Sequence, residues 1–133
     1  FGVGCNKGAE LATGQLIAFV NPDIEFLTRL DALKNINKEE WWGTCQQLDG
    51  KSRSGGVDIF PECKRTWHEF VGFHRFVNAV PFWFGPYLYV VGSFMVVTSK
   101  LFRKSGGFNP AFFLYYEEAE LGRRLNQKEH FRA

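Results

Sequence analysis

Apolar residues along the chain fall into a few compact runs separated by glycine, proline and acid–amide punctuation. Leu16-Ile17-Ala18-Phe19-Val20 is a run of five, stopped by Asn21-Pro22-Asp23. A run of that length, with no helical spacing, predicts a strand buried on both faces. Ahead of it, Phe1 to Gly8 reads as a glycine-punctuated turn, and Lys7 to Thr13 as a short helix ended by Gly14. After it, Phe26, Leu27, Leu30 and Leu33 recur at helical spacing and predict a helix over Ile24 to Asn35. Trp41 to Leu48 reads as a strand, Asp49-Gly50 as a turn, and Gly55 to Phe60 as a short strand able to pair.

The second half repeats the alternation. Pro61 to Pro86 is irregular, with a candidate helix over Thr66 to Phe76. Tyr87 to Thr98 predicts one long strand, and Ser99 to Ser105 a short helix stopped by Gly106-Gly107. Phe108 to Tyr116 is a loop. Glu117 to Gln127 is a helix with acids first and bases later, the order that the helix dipole favours. Strands alternating with helices predict an α/β layer in a single domain.

Composition narrows this only a little. Hydrophobic residues make up 45% of the 133, enough for a real core. The net charge of +2 is too small to indicate nucleic acid, which basic stripes bind. Fifteen Phe and four Trp, concentrated between Trp67 and Tyr116, supply core area first and flat ligand platforms second. Cys5, Cys45 and Cys63 form no CxxC and no even set, so no disulfide framework or zinc site is expected, and a reducing compartment fits. His68, His74 and His130 have no ligand spacing. Phe76 to Ser99 lacks charge over a membrane-spanning length, but Pro81, Gly85, Pro86 and Gly92 interrupt it. A loop touching a membrane surface suits its Trp and Tyr better than a spanning helix.

Three segments bear on chemistry. Pro22 restricts Asn21 to extended geometry, so Asp23 emerges at the carboxyl end of a strand, the edge where open α/β sheets bind ligands. A carboxylate there can hold a divalent cation that bridges a diphosphate. The tripeptide alone favours the plainer reading, in which Asp23 caps the next helix. Glu117, Glu118 and Glu120 cluster at the start of the last helix, with Glu117 and Glu120 on one face and Glu118 about 100° away. A carboxylate there can accept the proton of an attacking hydroxyl, although spacing alone is explained by the helix dipole. Phe1 to Gly8 holds three glycines but neither GxGxxG nor a Walker loop.

The order of these segments is more specific than any one of them. A Gly- and Asn-bearing turn, a strand ending in Asn-Pro-Asp and an Asp-Gly turn are followed by Gly92-Ser93-Phe94-Met95. Then come Gly106-Gly107-Phe108-Asn109-Pro110-Ala111-Phe112-Phe113 and Tyr115-Tyr116-Glu117-Glu118-Ala119-Glu120-Leu121, with Arg123 and Arg124. This order resembles the rhamnosyltransferase-like branch of the family 2 glycosyltransferases, over nearly the whole chain. The blocks Gly14 to Glu25 and Val91 to Leu125 are the most specific.

The resemblance implies an α/β, Rossmann-like GT-A fold, with residues 1–133 a partial domain lacking the first nucleotide-binding strands. It implies an inverting transferase that moves a sugar, rhamnose being one candidate, from a nucleoside diphosphate to a glycan or lipid-linked acceptor. Asp23 matches the metal-binding acid, with Mg²⁺ or Mn²⁺ as cofactor. Asn6, Gly8, Asn21, Gly92 and Ser93 match donor-side positions. Glu118 matches the catalytic base, Glu117 its acceptor-side neighbour, and Glu120 the second acid of the helix. We place Trp83 and the surrounding aromatic stretch, Trp67 to Tyr89, on the acceptor side, with core packing as the equal alternative. The implied setting is the cytoplasm, against a membrane where the acceptor is lipid-linked, in polysaccharide synthesis.

Two departures stand out. The family's base is usually Asp, and Glu118 is one methylene longer, a displacement of about 1.5 Å that is large on the scale of catalytic positioning. Glu120 is a similar lengthening. Two rival functions stay open on sequence: a non-catalytic sugar-nucleotide-binding scaffold, and a nucleotidyltransferase of similar architecture.

Overall fold

The computed structural model describes residues 1–27, 29–36, 40–44, 47–49, 52–54, 56–59, 88–112 and 115–126. It is a mixed α/β arrangement around a three-stranded antiparallel sheet. The elements in chain order are α1 (Gly2–Leu11), β1 (Leu16–Val20), a 3₁₀ turn (Asp31–Asn35), β2 (Trp42–Gly43), β3 (Gln47–Asp49), β4 (Ser52–Ser54), β5 (Val57–Ile59), β6 (Leu88–Val90), β7 (Phe94–Thr98), α2 (Ser99–Ser105) and α3 (Glu117–Asn126).

The central sheet has the order β1-β7-β2, with Leu16 opposite Thr98, Val20 opposite Phe94 and Trp42 opposite Val97. β3 pairs β4 antiparallel with Asp49 opposite Ser52, and Gly50 of the predicted Asp-Gly turn lies outside the described residues. β5 pairs β6, as expected of a short pairing strand.

The core lies between one sheet face and the helices. Ile17 and Phe19 of β1 and Met95 and Val97 of β7 share that face. Leu101 and Phe102 of α2, Leu121 and Leu125 of α3, and Trp42, Tyr89 and Phe108 complete it. Phe19, Phe102 and Phe108 form an aromatic triangle with ring centroids 5.1 to 5.8 Å apart, mostly edge-on as ring quadrupoles prefer. On the opposite face, Phe26 meets Phe94 edge-on at 5.4 Å.

Five expectations need correction. β1 is buried on one face only: Ala18 and Val20 are exposed while Ile17 and Phe19 are buried. Among the described residues the second face is covered at Phe94 of β7 but open at Ala18 and Val20 of β1, so unbroken apolarity did not mean double burial. Phe1 to Gly8 is mostly helix: Gly2, Gly4 and Gly8 take no positive φ, so these glycines turn nothing. Over 24–35 the only helical structure among the described residues is the 3₁₀ turn, and Phe26 and Leu27 are exposed. Finally, the strand predicted from Tyr87 to Thr98 is broken at Val91-Gly92-Ser93, and its halves join different sheets. The strand predicted over 41–48 is likewise divided into β2 and β3.

Among the described residues, no helix is long and apolar enough to cross a membrane. The candidate helix over 66–76 and the three histidines lie outside the described residues.

Candidate functional site

The break between β6 and β7 brings three separate segments together. Val91 N–H donates to Gly56 O at 2.8 Å, ending the β6 side, and Asn21 N–H donates to Ser93 O at 2.9 Å, extending the β1–β7 ladder by one step. Asn21-Pro22-Asp23 therefore leaves the sheet beside Gly92-Ser93. Ile24 N–H closes the turn onto Asn21 O at 3.2 Å. From the other side, α3 presents Glu118 to Gly92: a methyl carbon placed on Gly92 would stand 3.7 Å from the Glu118 carboxyl carbon.

Glu118 is half-buried, and that burial pushes its carboxyl above the ordinary glutamate range. The Glu117 charge pushes the same way, while the N–H groups of Glu118 itself and of Gly92 partly offset both by favouring the anion. A carboxyl raised by desolvation and set against a strand end holds its proton more tightly than a free glutamate, which suits it to accept one.

Glu117 is 5% exposed, and its buried Oε2 has no hydrogen-bond partner among the described residues. Its charge reaches Cys5 of α1, where burial first and Glu117 to a lesser degree raise the thiol. Glu120 turns away from both. It holds Arg124 through Nε at 2.7 Å and Nη2 at 2.6 Å, and Arg124 also donates to Gly107 O at 2.7 Å and to Ser105 O. This acid is a strut between α3 and the end of α2.

The helix-cap reading of Asp23 fails, because no helix begins at Ile24. Its carboxylate is exposed and has no hydrogen-bond or ion-pair partner among the described residues. Among those residues no three His, Cys, Asp or Glu gather as a metal cage. A lone free carboxylate still fits a hard cation that takes its other ligands from phosphate oxygens and water.

The structure thus gathers Asn21, Gly92, Ser93 and Glu118, with Asp23 on the turn beside them and Glu117 buried behind. It separates Asn6 and Gly8. Asn6 clamps Phe108 from both sides: Nδ2 donates to Phe108 O at 2.8 Å and Oδ1 accepts from Phe108 N–H at 2.8 Å. Gly8 lies on α1, and a Cβ placed on it would meet nothing within 4 Å among the described residues, so no close backbone approach explains it. Trp83 lies outside the described residues, as does 67–87 of the aromatic stretch. Its described end, Tyr89, is buried in the core against Gly122.

The sequence reading missed Tyr115 and Tyr116. Both non-glycine residues have positive φ, 66° and 65°, and are 71% and 54% exposed. The available signal was a pair of aromatics where a helix start normally carries Ser, Thr, Asp or Asn.

The chain matches no protein-family model, no curated protein and no solved structure.

Proposed function

We propose that this chain is the donor-and-base portion of an inverting glycosyltransferase of GT-A type that uses a nucleoside-diphosphate sugar. The observation that carries the reading is the Glu118 carboxyl, raised by burial and set against Gly92 at the strand end where Asn21-Pro22-Asp23 emerges. Glu118 takes the proton of an acceptor hydroxyl on a glycan or lipid-linked sugar. The freed oxygen attacks the anomeric carbon and forms the new glycosidic bond. The bond from that carbon to the diphosphate breaks, the nucleoside diphosphate leaves with its electron pair, and configuration inverts.

Asp23 is the residue that would hold Mg²⁺ or Mn²⁺. When bound, the cation supplies positive charge against the diphosphate. Asn21 and Ser93, joined through the backbone, fix the floor on which the donor rests, and positioning supplies much of the rate. The longer reach of Glu118 relative to aspartate is matched by the glycine opposite it, since position 92 carries no side chain to push the carboxyl back.

Calorimetric titration with nucleoside diphosphates, with and without Mn²⁺, tests the donor half. One diphosphate should bind only with the metal, and Asp23→Asn should weaken it at least tenfold, about 1.4 kcal/mol. Equal affinity for the variant, or no binding to a folded chain, counts against the reading.

A further inference from the structure

We propose that Tyr115 and Tyr116 form a stacking platform for the pyranose ring of the acceptor, beside the Glu118 base. The proposal rests on the transferase reading for the choice of a sugar as ligand. Its residues come from independent observations.

The first is conformational. L-residues avoid the left-handed region because Cβ crowds the following carbonyl, and the usual occupants are Gly, Asn and Asp. Two consecutive tyrosines hold it here, at φ 66° and 65°. Elsewhere the same chain uses glycine for this geometry, at Gly56, Gly106 and Gly107. The second is positional. Tyr116 O accepts from Glu120 N–H at 2.9 Å, so Tyr116 is the N-cap of α3, a position that favours a short polar side chain. The third is burial. At 71% and 54% exposure the rings are not held by the core, and neither side chain has a hydrogen bond or ring contact among the described residues.

Backbone preference, capping and packing would each select another residue type at these positions. What the two tyrosines do supply is a pair of large, stiff, amphipathic surfaces, two and three residues before the base. A pyranose presents a C–H face to such a ring and hydroxyls at its rim, and the phenol oxygens can meet the rim. Strain of this kind persists where surrounding structure holds it for use. The strained pair also sets the entry of α3, so the residues that receive the acceptor and the residue that deprotonates it share one backbone turn.

Saturation-transfer-difference NMR on the full chain tests this without donor, metal or turnover. The probes are methyl β-D-glucopyranoside and methyl α-L-rhamnopyranoside, with n-butanol as an apolar control. Saturation should reach the ring C–H protons of at least one glycoside and not the alcohol. Tyr115→Ala and Tyr116→Ala should each weaken binding about three- to tenfold, and Tyr115→Trp should retain it. Tyr116→Gly, which relieves the backbone, should keep the fold and weaken binding to the same degree as Tyr116→Ala. Transfer to neither glycoside, equal transfer to butanol, or undiminished transfer in a folded Tyr116→Gly chain overturns the proposal. So does concentration-dependent line broadening that Tyr115→Ala abolishes, which would assign the pair to contacts between copies. A positive result beside a failed diphosphate titration would keep the platform and reject the transferase.

Discussion

The two ends of the segment 106–116 make opposite use of the same backbone region. At the end of α2, Gly106 and Gly107 take φ of 83° and 73°, and several backbone groups there are paired. Gly106 N–H bonds Arg103 O, Gly107 N–H bonds Phe102 O, Arg124 holds Gly107 O, and Asn6 clamps Phe108. At the start of α3, two tyrosines take the same φ without the glycine that makes it easy. Glu117 is buried with an oxygen unanswered among the described residues, and Glu118 is raised by burial. One corner follows local rules and closes a helix; the other breaks several at once and faces a strand end. Concentrated rule-breaking beside a carboxyl raised by burial is what the proposed site would show and a structural joint would not.

The comparison is broken most severely at the structural corner. A Cβ on Gly107 would stand 2.6 Å from Asn6 Oδ1 and 3.3 Å from the Phe102 ring, at a φ that already strains an L-residue. Gly107→Ala should therefore lower unfolding stability by about 2–3 kcal/mol, read by urea denaturation. A loss below about 0.5 kcal/mol would mean that the clamp is slack.

Tyr116→Gly sharpens the contrast in the opposite direction. Releasing a left-handed tyrosine gains about 1–2 kcal/mol, and the greater freedom of unfolded glycine returns about 0.5–1. The net expectation is a stability gain of up to about 1.5 kcal/mol by the same denaturation, where the structural corner loses. A clear loss would show that the Tyr116 ring packs in the fold.

Much of the structural corner was legible in the sequence, and little of the candidate site. Ser99 to Ser105 ending at Gly106-Gly107, and the acids-first helix from Glu117, follow local chemistry and were read to within a residue. The β6–β7 break was not, because Tyr87 to Thr98 is apolar throughout and a single Gly-Ser gives a weak stop. Nor was the reason for Gly122 in mid-helix: a Cβ there would stand 2.9 Å from Tyr89 Cβ and 3.2 Å from the Trp42 ring, a tertiary constraint with no sequence period. Asn6 looked like part of a glycine turn because its partner, Phe108, lies 102 residues away. The approach of Glu118 to Gly92 depends on that same break. The sequence order suggested the pair only through family resemblance.

The raised Glu118 carboxyl links the two corners to pH. The folded chain holds that proton more tightly than the unfolded chain, so its contribution to stability is complete below the ordinary glutamate pKa. It is lost as pH rises through the raised folded value. A base works in the opposite sense: turnover should climb over that same raised window.

The most direct measurement is nucleoside diphosphate release from a panel of nucleotide sugars, followed against pH for the unaltered chain and for Glu118→Gln. The amide keeps the shape and cannot take a proton. Release with an acidic limb above the ordinary glutamate range, lost by at least about a hundredfold in Glu118→Gln while donor binding persists, is the predicted result. Release that is unchanged in the variant, or pyrophosphate as the product, would contradict the assignment of Glu118 as the base of a sugar transfer.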